Sequence, residues 1–160
     1  MTAARATALL AVLASGAVAG LFFSYWCSVM PALDQMPART AIAVMRRINV
    51  VIVNPAFLLA FLGTPLLLGL AAATAWWGAA TQAAAWFAGA GLVYALGVFG
   101  ITAGLNIPLN DALERLGDQP ADPRTAWRSF AAPWNRWNSV RTAASSATLA
   151  LAALGLRALP

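Results

Sequence analysis

The stretch Trp134-Asn135-Arg136-Trp137-Asn138, followed by Arg141 and an apolar tail, decides how this chain folds. In a helix, Trp134, Asn138, Arg141 and Ser145 recur at i, i+4, i+7 and i+11 and therefore share one face. The uncharged run that follows, 142–156, has only 15 residues. A helix needs roughly 20 residues at about 1.5 Å each to cross a hydrocarbon core. A span here takes its first turns from residues 138–141, which brings an amide and a guanidinium to the membrane boundary.

The depth of Arg141 has two interpretations. A long cationic side chain at a helix end can extend back to the headgroups. Alternatively, a polar group at that depth points at a partner or a cavity inside the protein, because exposure to lipid is costly. We predict the second arrangement, with a carboxylate or amide partner for Arg141 within the bundle.

The composition is that of an integral membrane protein. Of 160 residues, 61% are hydrophobic and 9% are charged, and the mean hydropathy is +0.73, whereas a soluble domain has roughly 25% charged residues. The basic pI of about 11.1 does not indicate a nucleic-acid partner, since the arginines sit in loops beside apolar runs. With one Cys and no His, internal disulfides, His-based metal sites and Ser-His triads are excluded, and no metal is expected.

Three uncharged runs set the predicted architecture. They comprise residues 6–33, 48–110 and 142–156, and the middle run of 63 residues has room for two spans with a turn near 74–82. We predict an all-α integral membrane four-helix bundle, a single domain over 1–160, with spans at about 6–30, 48–73, 84–105 and 138–158. A cleaved signal peptide is the alternative for the first run, but that run is too long for an h-region.

The two polar loops, 31–49 and 106–137, lie on the same side of the membrane if there are four spans. We expect short amphipathic helices in them, including 110–116 with Asn110 as N-cap and 125–130. Counting Arg141, this side carries eight Arg against two on the other. The positive-inside rule therefore predicts cytoplasmic loops and external termini, in a bacterial cytoplasmic membrane.

Polar residues concentrate at the ends of the spans that meet these loops. Each Asn alone can be a helix cap or a headgroup contact; Asn54 before Pro55 and Asn106 before Pro108 fit capping. Six Asn on one side, with Arg141 drawn inward, favour a polar pocket between the helices. The residues expected to meet there are Ser24, Ser28, Asn49, Asn54, Thr102, Asn106, Asn138, Arg141 and Ser145.

Several motifs resemble those of the DUF1772, or anthrone oxygenase, family of small four-helix membrane proteins, over nearly the whole chain. They are Gly20, Phe23-Ser24, Val29-Met30-Pro31-Ala32-Leu33, Ile48-Asn49, Asn54-Pro55-Ala56-Phe57, Asn106-Ile107-Pro108-Leu109-Asn110 and Trp134-x-x-Trp137-Asn138-x-x-Arg141-Thr142. The resemblance implies a monooxygenase-type oxidoreductase that converts anthrones to anthraquinones in aromatic polyketide biosynthesis.

The polar residues are compatible with that chemistry. An anthrone has an acidic methylene, and its anion can itself reduce O₂, so we expect O₂ as co-substrate and no cofactor; the partners are a small aromatic substrate and the lipid bilayer. The candidate catalytic residues are Asn54, Asn106, Asn138 and Arg141. The candidate substrate-binding residues are Ser24, Asn49, Thr102, Asn110, Trp134 and Trp137. The general base stays open between Asp111, Asp34 and a substrate that is already ionised.

A non-enzymatic membrane protein is the alternative. In a small transport or complex subunit, the same amides and hydroxyls would bond to one another between helices and only stabilise packing. A cavity that accepts a flat tricyclic ligand would distinguish the oxygenase from this alternative. The sequence leaves the substrate and any homo-oligomer open.

Overall fold

The computed structural model describes residues 3–117 and 120–160, which form five helices and no strand. The prediction of an all-helical fold is confirmed. The helices are α1 (Ala3–Asp34), α2 (Ala38–Val51), α3 (Pro55–Trp77), α4 (Thr81–Arg115) and α5 (Pro123–Arg157).

Three of these helices, α1, α3 and α4, are long and apolar enough to cross a membrane. They overlap the first three predicted spans, and they support the assignment as a membrane protein. The fourth predicted span, 138–158, forms the second half of α5, whose first half is polar. The whole of α5 is therefore less apolar than the other three long helices.

The four long helices pack in a ring. Helix α1 packs against α3 and α5, and α4 packs against the same two helices. Glycines allow the closest approaches: a Cβ at Gly97 would lie 2.5 Å from the Ala144 Cβ, and one at Gly155 would lie 2.9 Å from the Phe87 ring. Small residues at helix crossings give this kind of close packing in membrane proteins.

The short helix α2 covers one end of the ring. Its apolar face (Ala41, Ile42 and Met45) joins a cluster with Leu113 of α4 and Trp127 of α5. The Arg46 guanidinium also pairs with the Glu114 carboxylate at 2.7 Å. The expected amphipathic helix in the first polar loop is therefore present, and it is tied to the ends of α4 and α5.

The second polar loop differs from the prediction. Residues 110–116 do not form a separate helix, because Ile107–Arg115 continues α4 and Asn110 lies inside it. Residues 125–130 belong to the start of α5, which begins at Pro123 after its N-cap Asp122. The connection from 116 to 122 is accordingly much shorter than the predicted loop, and Asp118 lies outside the described residues.

The first and third predicted spans, 6–30 and 84–105, end just before Pro31 and Pro108, but neither proline ends a helix. Pro31 follows π-helical turns at Tyr25–Val29, and Pro108 follows π-helical turns at Thr102–Asn106. In π-helical turns the backbone bonds span five residues and not four, so the α-helical hydrogen-bond pattern is already interrupted where the chain returns to α turns. A proline at such a point, which has no N–H, therefore destabilises the helix only slightly. Helices α1 and α4 therefore extend past both prolines.

The second span also begins later than predicted. Helix α2 ends at Val51 and α3 starts at Pro55, so residues 48–51 belong to the short helix and 52–54 form a turn. The Asn54 side chain caps α3, because its Oδ1 accepts a hydrogen bond from the Phe57 N–H at 3.1 Å. Asn49 is thus separated from α3 and lies at the end of α2.

Candidate functional site

A cavity of about 410 Å³ lies between the long helices at the end covered by α2. Helix α3 packs closely against the Thr81–Tyr94 part of α4 but separates from its Ala95–Asn106 part. Phe61 of α3 lies at the point where the two helices separate. Its ring stacks on that of Phe99 with centres 5.8 Å apart, and its carbonyl accepts a hydrogen bond from the Tyr94 hydroxyl at 2.7 Å. The apolar lining consists of Leu21, Phe22, Ile52, Val53, Phe57, Leu58, Phe61, Leu62, Ile107 and Trp134.

Arg141 reaches this cavity from α5 and is only 5% exposed. Its Nη2 donates to the Asn138 Oδ1 at 3.0 Å, and its Nη1 donates to the Thr102 Oγ1 at 3.3 Å. The guanidinium carbon lies 4.4 Å from the centre of the Phe22 ring and 5.2 Å from that of Trp134. The predicted amide partner is confirmed, and the side chain points into the bundle, between two aromatic faces that attract a cation.

The charge of Arg141 has no carboxylate partner in the described part of the chain. Its Nε–H is buried and has no hydrogen-bond partner there. An uncompensated cation in an apolar surrounding is costly, and it strongly favours an anionic group brought in by a ligand. The guanidinium therefore presents an uncompensated positive charge to the cavity that it lines.

Trp134 is held in place by two asparagines of α4. Its indole N–H donates to the Asn110 Oδ1 at 2.9 Å, and its carbonyl accepts from the Asn106 Nδ2 at 3.4 Å. The Tyr25 ring lies 5.5 Å from it, centre to centre. Because the oxygen of Asn110 is occupied, the orientation of its amide is fixed, and its NH₂ group is available to the cavity that Asn110 lines.

Three further polar side chains line the cavity without a hydrogen-bond partner among the described residues. They are Tyr25 of α1, Asn49 of α2 and Asp111 of α4. Tyr25 and Thr102 both stand on π-helical turns, which are frequent at functional sites. Four helices thus bring unpaired donors and acceptors to one mostly apolar cavity, which is the usual character of a small-molecule site.

The family model described as anthrone oxygenase matches residues 56–151, more than half of the chain. This chain belongs to the anthrone oxygenase family. Neither the curated proteins nor the solved structures contain a significant match. The matched region includes Thr102, Asn110, Trp134 and Arg141, whereas Tyr25 and Asn49 precede it. Membership of this family indicates an oxidoreductase.

In this family member, the ten predicted site residues fall into three groups. Asn49, Thr102, Asn110, Trp134 and Arg141 line the cavity. Asn106 and Asn138 are buried behind its wall. Ser24, Asn54 and Trp137 do not line it.

The last two groups have structural partners. The Asn138 Nδ2 donates to the Phe22 carbonyl at 3.1 Å, which joins α5 to α1. The Asn54 amide caps α3 and donates to the Val51 carbonyl at 3.0 Å. The Ser24 hydroxyl donates to the Leu21 carbonyl at 2.7 Å, and the Trp137 ring lies 5.6 Å from the Arg136 guanidinium.

Sequence reasoning overlooked the α1 wall of the site. Phe22 and Tyr25 both line the cavity, and an aromatic pair three residues apart lies on one helix face. That spacing is a usable signal, but it does not distinguish a wall residue from ordinary core packing. In the described ranges, no three His, Cys, Asp or Glu side chains lie close enough together to hold a metal ion.

Proposed function

We propose that this protein is a membrane-embedded oxygenase that oxidises an anthrone-like aromatic polyketide to a quinone, with O₂ as co-substrate and no metal or flavin. The observation that carries the proposal is the buried Arg141 guanidinium, which has no carboxylate partner among the described residues and faces a cavity walled by aromatic rings. Such a site suits a flat ligand with a delocalised negative charge.

The chemistry follows from the acidity of the substrate. Loss of one methylene proton gives an anion whose charge spreads onto the opposite ketone oxygen, where Arg141 stabilises it. The anion transfers an electron to O₂, the two radicals combine into a peroxide anion, and a proton from water converts it to the hydroperoxide. Loss of water then leaves the new carbonyl, so that one oxygen atom of O₂ enters the quinone and the other leaves as water. The site supplies charge stabilisation, orientation and exclusion of bulk water.

The neutral donors of the cavity fit oxygen substituents of such a ligand. The Asn110 NH₂ group is oriented by Trp134, and the Asn49 amide and Tyr25 hydroxyl have no partner in the described structure. Phenolic and ketone oxygens on an aromatic polyketide are acceptors or donors that these groups can bind. We assign Arg141 the catalytic role, and Asn49, Thr102, Asn110 and Trp134 the binding roles.

The same cavity argues against the non-enzymatic alternative. In a protein whose polar residues serve only packing, the amides would bond between helices, as Asn106 and Asn138 do. Two cavity-lining groups of α4, Thr102 and Asn110, also bond to α5. Tyr25, Asn49 and Asp111 line the cavity and make no such bond in the described part of the chain.

We further propose that α5 is the fourth span of a transmembrane four-helix bundle, with α2 on the cytoplasmic side of a bacterial membrane. The inward position of Arg141 removes the main obstacle to burying residues 138–156 in the bilayer. Single cysteines at the exposed Gln35 and Gln82, in a Cys27→Ser background, should label from opposite sides of the membrane. Labelling of both from one side would contradict this arrangement.

The oxygenase proposal is tested with purified protein in detergent. Quinone formation and O₂ uptake from an anthrone should exceed the blank rate in the same detergent and persist after chelation and removal of flavin. Arg141→Met should lower kcat about 10²- to 10³-fold, as loss of one oxyanion donor does. Arg136→Met is the matched control, because Arg136 is exposed and does not line the cavity. A rate equal to the blank, loss of activity with chelator, or equal effects of the two substitutions would refute the proposal.

A further inference from the structure

Asp111 differs from the other acidic residues in the described part of the chain. The other three make polar contacts elsewhere. Asp34 accepts a hydrogen bond from the Trp127 indole N–H at 2.8 Å, Glu114 pairs with Arg46, and Asp122 caps the first turn of α5. Asp111 has no hydrogen bond or ion pair there, and it is the one acidic residue of those described that lines the cavity. It is also exposed, at the polar end of α4.

Its place relative to Arg141 is set by Trp134. The Arg141 guanidinium carbon lies 5.2 Å from the centre of the Trp134 ring, and the indole N–H of the same ring donates to Asn110, the neighbour of Asp111. About one indole ring therefore separates the guanidinium from the Asn110 side chain, and Asp111, the next residue of α4, lines the same cavity. In an anthrone, the acidic methylene and the ketone oxygen lie on opposite sides of the central ring. A ligand beside Trp134 can thus present its ketone to Arg141 and its methylene to Asp111.

From this geometry we propose that Asp111 is the general base of the site. It is a catalytic residue beyond those assigned above, and the inference rests on the proposed function. The carboxylate takes one proton from the methylene, the C–H bonding pair stays on the substrate as the delocalised anion, and Asp111 becomes a neutral carboxylic acid. Because Asp111 is exposed, it returns that proton to water before the next turnover. Of the open alternatives, Asp34 does not line the cavity.

The competing titratable groups are few. Among the described residues, the titratable side chains that line the cavity are Tyr25 of α1, Asp111 of α4 and Arg141 of α5, and the described lining residues of α2 and α3 include none. A phenolate is a stronger base than a carboxylate, so Tyr25 is a competing candidate and must be tested directly. Tyr25→Phe removes the hydroxyl and keeps the ring that contacts Trp134.

The test separates proton removal from oxidation. Without O₂, the protein in D₂O should exchange the methylene hydrogens of an anthrone for deuterium faster than the detergent blank, as measured by mass spectrometry. With O₂, quinone formation is followed in the same preparations. The set is the wild-type protein, Asp111→Asn, Asp111→Glu, Tyr25→Phe and the control Glu114→Gln, which changes an acidic residue on the same helix that does not line the cavity.

We expect Asp111→Asn to lower both exchange and kcat by 10²-fold or more, the usual contribution of a general base. KM and thermal stability should stay close to the wild-type values, because Asp111 has no partner among the described residues. Asp111→Glu should restore part of the rate, and Glu114→Gln should retain exchange. Tyr25→Phe, which removes a hydroxyl of the cavity, should raise KM without the 10²-fold loss of kcat. Raising the pH until the anthrone ionises in solution should return much of the oxidation rate of Asp111→Asn.

Each outcome decides one of the two proposals. Exchange that needs Asp111, without quinone formation above the blank, would uphold the base and reject the oxygenase. Quinone formation or exchange at the wild-type rate in Asp111→Asn would reject the base and leave the oxygenase standing. Failure of the wild-type protein to exchange above the blank would also reject the base.

Discussion

Replacement of Asn138 by Ala should destabilise the protein more than replacement of any other asparagine in the cavity region. The Asn138 amide is 1% exposed and makes two hydrogen bonds: its Nδ2 donates to the Phe22 carbonyl at 3.1 Å, and its Oδ1 accepts from Arg141 at 3.0 Å. Alanine removes both, so that α5 loses its bond to the Phe22 carbonyl of α1 and a second buried guanidinium N–H is left without a partner.

The expected size of the effect lies between two estimates. Of the two bonds, only the one to Phe22 joins two helices; at the average of about 0.6 kcal/mol for an interhelical hydrogen bond in a membrane protein, the two together give about 1 kcal/mol. A buried group left without a partner costs about 1–3 kcal/mol, and more when it is charged. Since the group that Asn138→Ala leaves without a partner is cationic, we expect a loss of about 2–4 kcal/mol in the free energy of unfolding.

The assay is reversible unfolding in detergent, followed by tryptophan fluorescence, with two matched asparagine variants. Asn54→Ala should cost about 1 kcal/mol, because it removes a helix cap. Asn49→Ala should stay within about 0.5 kcal/mol, since that side chain has no partner among the described residues. If Asn138→Ala unfolds at the same denaturant concentration as Asn49→Ala, the two hydrogen bonds contribute nothing, and the account of how Arg141 is held is wrong.

Two other features lead to further tests. Trp134→Phe keeps a ring beside Arg141 but removes the N–H that orients Asn110. The loss of one hydrogen bond, ~1 kcal/mol, should raise KM about fivefold and leave kcat nearly unchanged. An unchanged KM would contradict this role of Trp134. Hydrogen bonds from Thr125, from its side chain first and then its backbone N–H, lower the pKa of the Asp122 carboxyl. The cap is therefore intact at neutral pH and is lost as the pH falls through that lowered pKa. Hydrogen exchange at the Thr125 amide should accelerate in that range relative to Asp122→Asn, whose cap does not titrate; parallel pH profiles would contradict the assignment.

The periodicity of α5 was the most reliable guide in the sequence. Trp134, Asn138, Arg141 and Ser145 were placed on one helix face by spacing alone, and all four are buried. The short uncharged run after Arg141 also predicts a carboxylate or amide partner for it, and the Asn138 amide, three positions earlier on the same face, is that partner. Both are local properties of one helix, and local properties are what a sequence pattern encodes.

The roles of the individual asparagines were not predictable in the same way. Asn54 and Asn49 are both polar residues near the start of the second span, yet one caps α3 and the other lines the cavity. The difference depends on the turn at 52–54, which separates α2 from α3. The continuation of α1 and α4 past Pro31 and Pro108 depends on π-helical turns, whose hydrogen bonding has no clear sequence signature. These features arise from tertiary packing.

The separation of α3 from the Ala95–Asn106 part of α4 has a kinetic consequence. Several cavity-lining side chains at this opening, Val53, Leu58, Leu62 and Ile107, are exposed and apolar. In a bilayer, such a side opening faces acyl chains, so a hydrophobic ligand reaches the cavity from the lipid. Its availability is then set by its mole fraction in the membrane and not by its amount in the aqueous phase. Added detergent or lipid should lower the observed rate at constant total ligand by surface dilution, and apparent affinities should be expressed per unit of lipid.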